Sequence, residues 1–175
     1  MSLCSSSWRT RPPDPRSLVK ACAERVAPEL GLVAWVVDDT GIPKNGKHSP
    51  GVKRQYSGTL GKIGNCQIAV SLHAAGERGT TPLGWVLYLP QEWVSDAERR
   101  RRAKIPEEVT FQTKPELASE LCAEAASWEL PRAPILADAA YGDDTACRAR
   151  LEGLGLTYVV AVHPETTAYG SFHLN

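Results

Sequence analysis

Two short apolar runs, each ending on aspartate, constrain this chain more than any other feature. Val33-Ala34-Trp35-Val36-Val37 precedes Asp38-Asp39, and Pro134-Ile135-Leu136-Ala137 precedes Asp138. Runs of this length read as buried β-strands. Carboxylates at the C-terminal ends of sheet strands sit where open α/β sheets build their sites. Two such groups brought together repel unless a proton or a cation lies between them. A hard divalent cation, Mg2+ or Mn2+, suits oxygen ligands and keeps positions open for water and phosphate. The pair therefore points to metal-assisted phosphoryl chemistry.

The order of the remaining elements narrows the fold. Residues 1 to about 15, rich in Ser, Pro and Arg, predict a frayed start, and the spacing from Ser17 to Val26 predicts a helix that Gly31 stops. Glycines and prolines between Thr40 and Gly51 predict a loop. Cys66 to His73 alternates as a strand, Gly76 to Gly79 reads as a turn, and Pro82 to Pro90 reads as its hairpin partner. Thr113 predicts the cap of a helix over about Pro115 to Trp128, and Pro131 and Pro134 introduce the strand that ends on Asp138. Asp143-Asp144-Thr145 predicts a second helix start, and Thr157 to Val162 a fifth strand.

The order β-β-β-α-β-α-β predicts an α/β fold: a mixed five-stranded sheet with flanking helices on its faces, in a ribonuclease H-like arrangement. If strand four lies beside strand one, Asp39 and Asp138 become neighbours. Expected boundaries are a disordered start plus helix over 1–31, the sheet domain over 32–163 and a disordered tail over 164–175.

Net charge is zero, so affinity for nucleic acid has to come from a local patch. The five cysteines, Cys4, Cys22, Cys66, Cys122 and Cys147, form no CxxC pair, which argues against zinc. Their odd number and the lack of a signal peptide predict a cytoplasmic location. No apolar run reaches the roughly 18 to 20 residues of a membrane span, so no membrane partner is expected.

Longer blocks carry a family resemblance. Trp35-Val36-Val37-Asp38-Asp39-Thr40-Gly41-Ile42-Pro43-Lys44, Gly46-Lys47-His48-Ser49, Arg54-Gln55-Tyr56 and Leu60-Gly61-Lys62-Ile63-Gly64-Asn65-Cys66-Gln67 resemble the signature region of DDE transposases of the insertion sequence 701 type. Arg99 to Pro106, Phe111-Gln112-Thr113-Lys114-Pro115-Glu116-Leu117-Ala118 and Ala137-Asp138-Ala139-Ala140-Tyr141-Gly142 are similar too.

The resemblance implies a ribonuclease H-like catalytic domain in which two Asp and one Glu bind two divalent metals, Mg2+ or Mn2+. By motif match the first Asp falls on Asp39 and the second on Asp138. Asp38 rivals Asp39, and strand pleat would turn its side chain to the opposite face. The family's Glu lies well downstream of the fifth strand, and its amino-terminal region exceeds the 34 residues before Trp35. The chain is thus expected to be a fragment truncated at both ends, with the C-terminal part of the fold missing. Glu165, directly after the last strand, is poorly placed to substitute.

The implied reaction is cleavage and strand transfer at insertion-sequence ends, vestigial here for want of the third carboxylate, so whether the chain is an enzyme stays open. Implied partners are end and target DNA, with a second copy or an intact transposase. The alternative is a non-catalytic DNA-binding or dimerising remnant that inhibits an intact transposase. A phosphatase using an Asp nucleophile lacks the Asp-x-Asp-x-Thr pattern at Asp38-Asp39-Thr40-Gly41.

In the two-metal scheme Asp39 would bridge both ions and Asp138 would hold one. Without the matching blocks, an Asp after a strand is more often a turn residue or helix cap. From Thr40 through Gly76 there is no Asp or Glu, while Lys44, Lys47, His48, Lys53, Arg54 and Lys62 are present. A stretch of one charge sign suits contact with phosphates, against the plainer reading of a solvated loop. Arg99 to Arg102 are flanked by Asp96, Glu98, Glu107 and Glu108, so a solvated helix accounts for them equally well. Gly58 to Ile63 fails as a phosphate-binding loop because Tyr56 and Ile63 replace the required glycine and hydroxyl. His73 reads as a satisfied strand residue, Asp143 and Asp144 as helix caps, and Tyr141 and Gly142 as shaping the turn beside Asp138.

Overall fold

The computed structural model describes residues 14–167; the expected frayed start up to residue 13, and residues 168–175 of the expected tail, lie outside them. Asp14 caps α1 (Pro15–Val26), its carboxylate accepting from the Ser17 N–H, and Pro15 occupies the first turn, where its missing N–H is not needed. A 3-10 turn over Ala27–Leu30 ends on Gly31 at φ 63°, a left-handed conformation that redirects the chain into the sheet.

The sheet strands are β1 (Leu32–Pro43), β2 (Lys53–Ser57), β3 (Lys62–Gly76), β4 (Gly79–Leu87), β5 (Ile135–Ala137) and β6 (Tyr158–Val160). Between them lie the short helices α2 (Gln91–Ser95) and α3 (Ala97–Arg102), then α4 (Lys114–Ala126), α5 (Ala139–Gly142) and α6 (Thr145–Gly153). Thr113 opens α4 with a capping box: its hydroxyl accepts from the Glu116 N–H, and the Glu116 carboxylate accepts from the Thr113 N–H. Asp144 caps α6 by accepting from the Cys147 N–H.

The sheet is mixed, and β3 is its spine. β1 runs antiparallel along one edge of β3, while the other edge carries β2 against Lys62–Cys66 and β4 against Ala69–Gly76. β5 pairs parallel with β1, and β6 pairs parallel with β5.

Three expectations need correcting. The sheet has six strands rather than five, because Lys53–Ser57 pairs with the start of β3. The expected loop after Asp39 begins later, since Thr40, Gly41, Ile42 and Pro43 continue the ladder opposite Ala69, Ile68, Gln67 and Cys66. Gly41 is a close-approach residue there, not a strand breaker: a Cβ at this position would overlap the Ser57 hydroxyl. The packed helices also cover one face of the sheet, not both. One cluster joins Ala23, Leu30, Trp35, Val37, Val70, Leu72, Leu117, Cys122, Ile135 and Leu151, drawing its β1 and β3 members from alternate positions.

The opposite face is open. It carries Trp85 (59 % exposed) and Val159 (67 % exposed), with Leu87 and Leu136 each 36 % exposed. A second, smaller core of Val52, Leu89 and Trp93 fastens α2 and α3 to the segment before β2. Cys66, Cys122 and Cys147 are buried free thiols, and burial pushes Cys122 up to about 12, as expected for inert core cysteines. Among the described residues no helix is long and apolar enough to cross a membrane.

Candidate functional site

β1 sorts its two aspartates by pleat. Asp39 lies opposite Val70 on the helix-covered face, and Asp38 lies opposite Ser71 on the open face, where it is exposed. Asp38 Oδ1 accepts from the Asp39 N–H at 2.7 Å, and the Asp38 carbonyl accepts from the Ser71 hydroxyl. Asp138 follows β5 directly and caps α5, its Oδ1 accepting from the Ala140 N–H at 2.9 Å.

The parallel pairing of Trp35 with Ile135 and Val36 with Leu136 sets the level of these groups. Two residues beyond that pairing, β1 reaches Asp38 and β5 reaches Asp138, on strands about 4.8 Å apart. Asp39 is one step further along. Tyr141 marks their proximity: it is 2 % exposed, its hydroxyl has no hydrogen-bond partner, and burial pushes its phenol far up, with the charges of Asp39, Asp138 and Asp38 adding to the shift.

Asp39 already has a cation. Lys114 Nζ donates to Asp39 Oδ2 at 2.6 Å, and both side chains are partly buried. The sequence reading missed this contact, taking Lys114 only as part of the block around Thr113. A signal was present: lysine directly after a helix cap stands at the positive end of the helix dipole, where a cation is disfavoured without a local anion.

Two hard oxygen donor groups, one on β1 and one directly after β5, match the chemistry of a Mg2+ or Mn2+ site, which commonly uses one or two carboxylates and retains waters. Asp39 Oδ1 and Asp138 Oδ2 have no hydrogen-bond partner among the described residues. No group of three or more His, Cys, Asp or Glu side chains able to hold a metal occurs among the described residues. Glu165 is exposed after β6. Asp143, read from sequence as a cap, instead receives the segment after β6: its carboxylate accepts from the Thr166 hydroxyl at 2.7 Å, and the His163 ring and N–H also contact it.

The basic residues fall in two places. Lys44, Lys47 and His48 lie on the segment between β1 and β2, which side chains tether to the body. Asn65 Nδ2 donates to the carbonyls of Lys44 and Gly46, Arg99 to that of Lys47, and Trp93 Nε1 to that of Val52. Arg54 and Lys62 are exposed on the β2–β3 ribbon, whereas Lys53 is engaged by Glu92 at 2.8 Å. Arg99 also stacks on Trp93, 3.5 Å from the ring centroid, and with Lys47, His48 and Arg102 lines a cleft of about 560 Å3.

The probable transposase for insertion sequence element IS701 of Microchaete diplosiphon is 32% identical over 131 residues, 74% of this chain. The chain spans about a third of that relative's length, 32%. No solved structure matches the chain significantly. A family model described as DDE superfamily endonuclease matches residues 4–173, nearly the whole chain, and the chain belongs to that family.

Proposed function

We propose that this chain carries two carboxylates, Asp39 and Asp138, of a metal-dependent DNA-cleaving site on a ribonuclease H-like sheet, and that its family substrate is the end of an insertion sequence. The observation that carries this reading is that Asp39 lies on β1 and Asp138 directly follows β5, the strand paired parallel with β1, with Asp39 already bound to a cation. The strand order β4-β3-β1-β5-β6, an antiparallel meander followed by two parallel strands, supports the fold assignment.

Asp39 and Asp138 would hold Mg2+ or Mn2+. When bound, such ions lower the pKa of an attacking water or hydroxyl and neutralise charge on the phosphoryl oxygens. The protein's part is positional: β1 and β5 fix the spacing of the carboxylates, and the Ala140 N–H fixes the Asp138 rotamer. Lys44, Lys47, His48, Arg54 and Lys62 contact phosphates and align the strand to be cut, with Lys53 tempered by Glu92. With no third carboxylate at this site among the described residues, cleavage by this chain alone is slow.

The test is Mn2+-dependent nicking of supercoiled plasmid by the purified chain. Slow nicking that disappears in both Asp39→Ala and Asp138→Ala is expected, and nicking retained in both variants rules the site out. The open apolar face bearing Trp85, Leu87, Leu136 and Val159 favours a second reading, a non-catalytic remnant that binds DNA or pairs with another transposase chain. DNA retention without nicking, together with self-association in sedimentation, selects that reading.

A further inference from the structure

Lys114 is a cation placed against its helix. It is the first residue of a 13-residue helix whose N–H groups point toward it, so the helix dipole repels its charge and the Thr113 capping box holds it there. What offsets that repulsion is Asp39, whose Oδ2 lies 2.6 Å from Nζ. With 28 % and 18 % exposure of the two side chains, the pair is partly withdrawn from water.

A Mg2+ ion on a carboxylate oxygen sits about 2.0 to 2.1 Å from it. An ammonium on the same oxygen would then stand within a few ångströms of the metal, with no anion between. The two cations compete for Asp39 Oδ2.

We propose that Lys114 is a resident counter-ion which a divalent cation must displace from Asp39, so that this lysine sets the metal concentration at which the site loads. The inference rests on the reading that Asp39 and Asp138 hold a divalent ion. Displacement is sterically simple, because the four-carbon stem is flexible and the helix cap belongs to Thr113 rather than to the lysine. The Tyr88 ring offers a second resting place, its centroid 6.0 Å from Nζ, at the edge of cation–π range. Lys114 therefore acts through Asp39 as a positioning residue.

The experiment titrates Mn2+ alone into the purified chain, reading free Mn2+ by electron paramagnetic resonance. Lys114→Met and Lys114→Gln should each bind Mn2+ about fivefold more tightly than the parent chain, the gain expected from losing one partly screened competing pair. Lys114→Arg keeps the charge and should stay at or below the parent affinity. A merely structural lysine would leave affinity unchanged or lower it on removal. Unchanged or weaker binding in the Met and Gln variants, or tighter binding in the Arg variant, overturns the proposal while the metal reading stands, provided Asp39→Asn abolishes binding. Mn2+ binding unaffected by Asp39→Asn overturns the metal reading itself.

Discussion

Gly142 lies directly beneath the carbonyl of Ala161: a Cβ at residue 142 would overlap that oxygen and come within 3.0 Å of the Val160 Cβ. Gly142 ends the short helix that Asp138 caps, and the Ala161 N–H donates back to the Ala137 carbonyl at 3.0 Å. The turn presenting Asp138 is thereby pressed against the end of β6, and only glycine fits.

Gly142→Ala should accordingly destabilise the chain by about 1–3 kcal/mol, the usual cost of overpacking, because the obstacle is backbone rather than a side chain that can swing away. Thermal unfolding measures the loss. The turn must also shift, so Mn2+ binding should weaken; a variant with parent-like melting and metal affinity would contradict the close packing described.

Trp93 is fully buried, its indole N–H donates to the Val52 carbonyl at 2.8 Å, and Arg99 covers its face. Trp93→Ala should cost about 3–5 kcal/mol and release the segment between β1 and β2. Limited proteolysis under native conditions should then cut near Lys44 or Lys47 faster than in the parent.

Hydrogen bonds from Thr166 and then His163 hold the Asp143 carboxyl down at about 2. Its ordinary value is about 3.9, so the native state favours the ionised form. That stabilisation is present above pH of about 4 and is lost as pH falls through about 2. The His163 amide resonance should move across this window as the segment after β6 detaches, and Asp143→Asn should remove that titration. A shift that persists in the variant assigns the transition elsewhere.

Phosphate contacts announce themselves through salt. Arg54→Ala and Lys62→Ala, both exposed on the β2–β3 ribbon, should each reduce the slope of log K against log salt by about 0.9 in fluorescence anisotropy with duplex DNA. Lys53→Ala should change it less, because Glu92 already engages that ammonium. Equal slopes for the Arg54, Lys62 and parent proteins would remove the ribbon from the DNA surface.

Several elements were legible because their causes are local. Thr113 and Asp144 cap helices through contacts three residues away, and Gly76 and Gly79 face each other across the β3–β4 turn. The extension of β1 was not legible, because Gly41 and Pro43 disfavour a strand until β3 supplies partners and Ser57 fills the space beside the glycine. β2 was hidden likewise, since five residues gain strand character only from pairing with Lys62–Cys66.

By itself, the sequence determined the alternation that turns Asp38 and Asp39 to opposite faces, the punctuation that bounds α1, α4 and α6, and the family blocks around both aspartates. Only the tertiary structure decided which of those faces is covered, that Asp143 secures the segment after β6, and that Lys114, 75 residues away, neutralises Asp39. The physical reason is range: pleat and capping act over one to four residues, whereas the energy of a charge depends on whatever the fold places within a few ångströms of it.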